Sequence, residues 1–461
     1  MNNGTRFPGR RTVTAALLAV LLATGHAHAD EAALDLAAAL DAALANNPAH
    51  DVRRLEVLKG EHGQRAARGA RLPSVELGAS ATHYGYPTFV YSIRTLAVLP
   101  PFDQTIYDYG VALRLPLYSG GRLSQGVVLA DLGREIAAER ERLGAQELTF
   151  NTSSVYLKAL HLARLVQAYA ARIASLEAQD RRVQLLVPVG RVPRLDALKI
   201  GVLLGKARHD RLQIANRRRE AVALLYNLMG RDPPEQVPPL TAYAPVGMPV
   251  GNLPELRAQA LTGRPELQIA EHEVQAGAAQ VGSARAERLP SLSLAGIYRE
   301  RAGADNDTDW YDEWNVGVQL SVPLMDGGVR RHRIEEAQLA AEQARQRRED
   351  TRLTIERQAQ DAWNAHAEAE SRLDVTARSL AEADEALGIE KLRYEQGVGL
   401  ITDLLGAETA LLTAQADRLQ AEFDLIIARL DLLRAGGSLD PARVLALVTA
   451  QPGPTNQEPQ P

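Results

Sequence analysis

Apolar residues recur along this chain with two different periods, and the change from one to the other divides it into elements. Leu162, Val166, Tyr169, Ile173, Leu176, Val183 and Val187 follow four-three spacing, with Asp180 as the one polar interruption. Leu405, Leu412, Leu419, Ile426 and Leu433 recur every seven residues. Leu404, Leu411, Leu425 and Leu432 flank them, with Arg418 the exception. A sustained seven-residue period predicts helices packed side by side with a left-handed supercoil. Elsewhere the period is two. Val75, Leu77, Ala79 and Ala81 alternate with small or polar residues, as do Tyr107, Tyr109, Val111, Leu113 and Leu115, and again Trp314, Val316, Val318, Leu320 and Val322. Such alternation predicts half-buried strands. Runs of about 9–11 residues match the length a tilted strand needs to cross a bilayer.

These elements occur twice. Leu72-Pro73-Ser74-Val75-Glu76-Leu77 returns as Leu289-Pro290-Ser291-Leu292-Ser293-Leu294, and Pro48 returns as Pro265 at the same offset of 217. Pro116-Leu117-Tyr118-Ser119-Gly120-Gly121 returns as Pro323-Leu324-Met325-Asp326-Gly327-Gly328, now at 207, which also relates Gly190 to Gly397, Asp196 to Asp403 and Gly230 to Gly437. A constant offset over distant anchors marks an internal duplication. The expected organisation is a first repeat over 30–240 and a second over 241–439, followed by a flexible tail over 440–461. The first repeat holds a helix ending at Leu72-Pro73, a strand hairpin 74–118, a long helix 122–186 and a helix 195–229. The second holds a helix 265–288, a hairpin 291–322, a long helix 329–394 and a helix 403–435. Each short helix ends at Leu-Pro because the residue before proline disfavours helix. A helix over 122–186 would extend nearly ~100 Å, more than a compact domain needs. Pro233-Pro234 and Pro238-Pro239 mark the crossover between repeats.

The first 29 residues change the picture of where this happens. Arg6, Arg10 and Arg11 precede an apolar stretch from Ala15 to Ala23 and an Ala27-His28-Ala29 site. This is the pattern of a secretory signal peptide, with cleavage expected after Ala29. The stretch is too short for a membrane anchor, which needs about 20 apolar residues. Removing three of 52 basic residues leaves 49 against 57 acidic, a net charge of −8. That balance argues against a nucleic-acid partner, which normally leaves a basic footprint. With no cysteine, stability must come from burial or oligomerisation and not from disulfides. No later stretch reaches the length of a membrane-spanning helix, so any spanning falls to strands. Eight of 13 Tyr and two of three Trp lie within 74–118 and 291–322, as the aromatic girdles of outer-membrane barrels require. A soluble sheet, in which aromatics merely favour strands, is the competing reading. Four strands cannot close a membrane barrel, whose smallest bacterial forms have about eight, so closure requires several copies of the chain.

Leu-Pro entries to the strands, the duplicated helix–hairpin–long helix–helix unit, Pro-Leu-Tyr-Ser-Gly-Gly at 116–121, Pro-Leu-Met-Asp-Gly-Gly at 323–328, and Tyr394-Glu395-Gln396-Gly397 followed by Asp403 together resemble the TolC family of outer-membrane efflux proteins. The resemblance covers roughly residues 34–439. It implies a mainly α fold with a transmembrane β-barrel: a long antiparallel coiled-coil α-barrel, plus four strands per protomer completing a trimeric barrel. It implies a homotrimer in the cell outer membrane with a long periplasmic extension, in contact with outer-membrane lipid. Its partners would be a periplasmic adaptor protein and an inner-membrane transporter of a tripartite efflux or type I secretion system. Adaptor docking is expected at the helical tips, on Val189, Gly190, Arg191 and Leu195 and on Gly397, Val398 and Ile401. Asp196, Tyr394 and Asp403 match positions at the periplasmic entrance, where Asp196 would accept a hydrogen bond from the Tyr394 hydroxyl and Asp403 would form a ring of carboxylates. Alternatively, Tyr394 packs in a heptad seam and Asp403 caps the following helix. Val187-Pro188-Val189-Gly190 departs from the pattern in lacking the aromatic found at Tyr394, and Gly406 stands where some members carry a second acid.

Other motifs carry less. Gly201 to Ala207 superficially resembles a phosphate loop, but its glycines are one residue too close and it lies in a predicted helix. Asp305, Asp307 and Asp309 begin like a calcium loop, but Trp310 stands where Gly is needed and Val316 where Glu is needed. His272 has no second histidine at metal-site spacing. His366, Trp363 and the Arg345–Arg352 stretch read as solvated helix faces. No nucleophile–base constellation stands out. The expectation is therefore a passive conduit with no enzymatic activity, cofactor or metal. The alternative is a periplasmic adaptor, which also uses long helical hairpins but usually has a single central one flanked by β-domains.

Overall fold

The structure is a computed structural model that describes residues 33–96, 98–245, 251–304 and 309–450. The expected leader and its cleavage site after Ala29, the polar segment 451–461, and Asp305 and Asp307 lie outside the described residues. In chain order the elements are α1 (Leu36–Asn46), α2 (Pro48–Gly69), β1 (Ser74–Phe89), β2 (Phe102–Tyr118), α3 (Arg122–Leu186), α4 (Arg194–Leu228), β3 (Tyr243–Pro245), α5 (Leu253–Gly263), α6 (Pro265–Ala286), β4 (Ser291–Gly303), β5 (Tyr311–Ser321), α7 (Val329–Glu395), α8 (Ile401–Ala435), α9 (Pro441–Ala446) and β6 (Val448–Ala450).

The two long helices, α3 and α7, have 65 and 67 residues and form the spine. α2 and α4 both pack along α3, and α6 and α8 both pack along α7. α3 also packs against α6 and α8, which joins the two repeats side by side. Among the described residues, positive φ occurs at glycines in four pairs, Gly120/Gly327, Gly121/Gly328, Gly190/Gly397 and Gly230/Gly437, each 207 residues apart. Each pair marks the start or end of a helix, where the left-handed conformation costs glycine least. The polar residue before each long helix follows the same spacing. Ser119 Oγ accepts from the Leu123 amide, and the Asp326 carboxylate accepts from the amides of Gly328 and Arg330. The duplication is thus written in backbone geometry as well as in sequence.

The four longer strands form one antiparallel sheet of order β1-β2-β4-β5. The hairpins are joined by β2 and β4, with Val111 opposite Tyr298 and Leu113 opposite Gly296. β1 and β5 are left as edges within the chain.

A waist halfway along α3 holds the largest apolar core. Leu36, Leu40, Tyr156, Leu225, Met229, Leu430, Val444 and Val448 are all buried there. The Tyr156 hydroxyl lies 2.7 Å from the Leu34 carbonyl oxygen and 3.0 Å from that of Thr241, and the Tyr243 hydroxyl accepts from the Leu36 amide. The first described residues and the crossover between repeats are thereby tied to the middle of α3. The expected flexible tail does not begin at 440. Asp440 caps α9 by accepting from the Arg443 amide, Pro441 opens the helix, and β6 pairs with β3. Val444, Leu447 and Val448 are buried in the waist core, and that burial orders the segment. Among the described residues no helix is long and apolar enough to cross a membrane.

Candidate functional site

At the end of the molecule remote from the sheet, α3 turns into α4 and α7 into α8. Both turns close in the same way. The Gly190 amide donates to Val187 and the Arg191 amide to Leu186; the Gly397 amide donates to Tyr394 and the Val398 amide to Arg393. This pattern satisfies the last carbonyls of a helix with a left-handed glycine. Val189, Gly190, Arg191, Leu195, Gly397 and Val398 are exposed on these tips. Ile401 is not. It is only 5 % exposed and packs into a core with Ile173, Leu176, Val183, Ile200, Leu404 and Leu405, so it anchors the tip and offers no docking surface.

Asp196 and Tyr394 line one cleft of about 750 Å³ together with Arg182, Arg191 and Ile401. Burial first, and then the Asp196 charge, push the Tyr394 hydroxyl above its ordinary pKa of 10.0, while Arg182 opposes them. The expected hydroxyl–carboxylate hydrogen bond is not formed between these two described residues in a single chain. Tyr394 also packs against the tip core. Asp403 is exposed in the first turn of α8, where no side-chain cap is made. Its carboxylate instead complements the positive helix end.

A polar node above the tips was missed by the sequence reading. Arg172 on α3 and Glu408 on α8 form an ion pair with side chains only 8 % and 6 % exposed. Glu408 also accepts from Ser175 at 3.0 Å and from Gln179, and Arg172 reaches the Thr409 hydroxyl. The available signal was Glu408 itself, a charge between the seam leucines Leu404, Leu405, Leu411 and Leu412. His366, read as part of a solvated face, is likewise buried. It lies 3.6 Å from Glu370, which also faces Arg429 on α8.

At the other end, the register sorts the strand residues into two faces. Val75, Leu77, Val111, Leu113, Leu294, Tyr298, Trp314, Val316, Val318 and Leu320 share one, with Leu77 80 %, Trp314 69 % and Val318 62 % exposed. Ser80, Asp108, Arg114, Arg299, Glu313 and Gln319 share the other. A contiguous exposed apolar face of this size is an interaction surface for lipid or protein.

Comparison with known proteins decides what this two-ended architecture belongs to. The family model described as outer membrane efflux protein matches residues 39–231 and 256–438, both repeats of the chain. The chain is a member of the outer membrane efflux protein family. It is similar to the solvent efflux pump outer membrane protein SrpC of Pseudomonas putida, with 25 % identity over 388 residues, covering 82 % of this chain and 79 % of the relative. It is similar to the protein CyaE of Bordetella pertussis, with 28 % identity over 406 residues and coverage of 83 % and 79 %. In fold it matches the crystal structure of the Vibrio cholerae outer membrane protein VceC, with a TM-score of 0.74, 19 % identity and coverage of 87 % and 96 %. As an outer membrane efflux protein the chain is a channel component of the outer membrane, serving efflux or secretion, and not a periplasmic adaptor. The family consists of transport components.

Proposed function

We propose that three copies of this chain assemble into one duct, a twelve-stranded transmembrane barrel continued by a periplasmic helical tunnel, through which substrates pass without chemical change. One observation carries the reading: a four-stranded sheet with an exposed apolar face, a polar face and two unpaired edges. Unpaired edges invite pairing with another chain, and closure in a membrane removes every edge. The helices are arranged to match. In the half nearer the sheet, packing runs α2–α3–α6–α7, which leaves α2 and α7 on the flanks. Both carry exposed apolar residues, among them Val52, Leu55 and Leu58 on α2 and Leu339 and Leu353 on α7. Neighbouring copies would cover them.

A periplasmic adaptor would dock at the helical tips and link the duct to an inner-membrane transporter. Supporting this is a groove of about 670 Å³ between α4 and α8, lined by Leu195, Leu198, Val202, Thr402, Gly406 and Thr409, which opens beside the tips. Relatives are named for solvent efflux and for alkaline protease secretion, so the family duct serves both small molecules and a polypeptide. In this chain, choice of cargo is assigned to the transporter. Asp196, Tyr394 and Asp403 would control the entrance, the first two from the cleft where the paired tips meet and Asp403 as a carboxylate ring around the axis.

Planar-bilayer recording of purified, detergent-resistant oligomer tests the reading. Tyr394→Phe combined with Asp196→Ala should raise conductance. Asp403→Ala should weaken block by a trivalent cation added on the periplasmic side. A purified protein that is monomeric and forms no pores would overturn the duct. Unchanged conductance and block in assembled variants would remove the entrance roles alone.

A further inference from the structure

The turn between β1 and β2 does not stay above its own hairpin. Residues 90–96 cross to the far hairpin and lie on β5. The Tyr91 ring meets the Tyr311 ring at 4.3 Å. Ser92 Oγ donates to the Glu313 carboxylate. Arg94 donates to the Asp312 carbonyl oxygen and, at 3.0 Å, to its carboxylate, while its guanidinium stands 5.0 Å from the centre of the Tyr91 ring. Glu313 is also held from within the sheet, by Arg299 at 2.8 Å and Arg301 at 3.6 Å.

The register identifies the face that is covered. Arg299 is opposite Glu313 and Arg301 opposite Tyr311, while Asp108 is opposite Arg301 on the other side. These residues all belong to the polar face of the sheet, not to the face of Leu77, Val111 and Val318. Ile106 on that same polar face is fully buried, as is Val90 at the root of the crossing segment, although most of the sheet is exposed. The crossing lies at the end of the strands away from the long helices, because β1 and β4 each leave a helix and β2 and β5 each lead into one.

We infer that residues 90–96 form a strap across the polar face at the outer end of the sheet and set the width of the exit. The inference rests on the proposed barrel with its polar face inward, where three such straps would converge on the axis. Each strap places an aromatic ring and a guanidinium, Tyr91 and Arg94, at the mouth. On the polar face it is fastened by the Glu313 carboxylate and one ring contact, while Arg94 reaches Asp312 at the β5 edge, whose side chain the register puts on the opposite face. The strap is therefore a size-selecting element that leaving substrates displace and that bars bulky polar solutes from entering.

The chain has no cysteine, so an introduced pair is the only thiol chemistry present. Two variants test the strap in planar bilayers: Tyr91→Ala/Ser92→Ala/Arg94→Ala, which releases it, and Tyr91→Ala/Ser92→Cys/Arg94→Ala/Glu313→Cys, which fastens it only when oxidised. The released variant should conduct about twofold more than the wild type or better, since conductance follows pore width. The cysteine pair should conduct like the wild type when oxidised and like the released variant when reduced, within one assembled protein. Cells carrying the released variant should also gain sensitivity to vancomycin, a bulky glycopeptide. Pores of wild-type conductance in the released variant, or no change on reducing the cysteine pair, would overturn the strap and leave the duct standing. Absence of pores from the wild type would overturn the duct, and the strap with it.

Discussion

Arg172 and Glu408 sit where a coiled-coil seam would ordinarily take two apolar residues. Removing charges from water is costly, and the pair recovers that cost only because Ser175, Gln179 and Thr409 satisfy what the pair leaves open. Glu408→Leu would strand a buried guanidinium and should cost about 3–5 kcal/mol, whereas Arg172→Met with Glu408→Leu should be near neutral. Denaturant midpoints of the two variants check this, and equal losses would refute the coupling. Two histidines bear on acid stability. Burial is the main cause that lowers His161 below its ordinary 6.5, with Lys158 and Arg164 adding to it and Asp424 opposing. Burial likewise lowers His366, with Arg429 adding and Glu370 opposing. Both stay neutral in the fold at a pH where the unfolded chain takes up protons. Stability should therefore be fully present above pH 6.5 and fall as the pH drops below it. Melting temperatures over pH 5–7 should lose part of this slope in His161→Phe and His366→Leu. A slope unchanged in both would place the acid sensitivity elsewhere.

Among the elements, the joint between repeats depends on one close approach. A Cβ at Gly110 would overlap the Tyr298 carbonyl oxygen and Arg299 Cα of the neighbouring strand. One at Gly296 would meet the Val316 side chain at 3.4 Å and the Asn315 carbonyl oxygen at 3.6 Å, both ordinary contacts. Gly110→Ala should thus cost about 1–3 kcal/mol of overpacking and cut the yield of assembled oligomer, while Gly296→Ala should leave it near wild type. Heat-stable oligomer in membrane fractions provides the readout. The same contrast explains part of what was legible. Alternation along β2 reveals which residues share a face, but pairing of β2 with β4 lies in no local pattern. Helix ends were more legible, because Gly120-Gly121 and Gly327-Gly328 announce them. The small elements α1, α5, α9, β3 and β6 are short, and they are ordered by contacts distant in sequence.

At the scale of the molecule, an apolar sheet face and a set of apolar helix flanks point away from the chain's own core. If the sheet spans a bilayer, position on the strand decides the effect of a charge. Val111→Arg and Val318→Arg should each cost about 2–4 kcal/mol at the lipid face and impair outer-membrane assembly. Ala112→Arg and Gln319→Arg, on the polar face, should be tolerated far better. Equal tolerance of all four, measured as oligomer in the outer-membrane fraction, would remove the barrel from the proposal. The candidate entrance was only partly legible. Its residues are those that match the family's entrance positions, and they lie at the tips. Spacing along one helix says nothing of how a second helix turns toward it, so the burial of Ile401 and the missing Asp196–Tyr394 hydrogen bond could not be read in advance.

By itself the sequence determined the periods, the duplication and the length of the spine. These are local or repeated properties: a seven-residue period commits a segment to a packed helix, and a two-residue period to a strand with unlike faces. Tertiary structure alone decided the order β1-β2-β4-β5, the waist that gathers Leu34, Tyr156, Tyr243 and Val444, the charged node within the seam, and the strap laid across β5. Each of these joins residues far apart in sequence, and such contacts form only where packing offsets the entropy of closing the intervening chain.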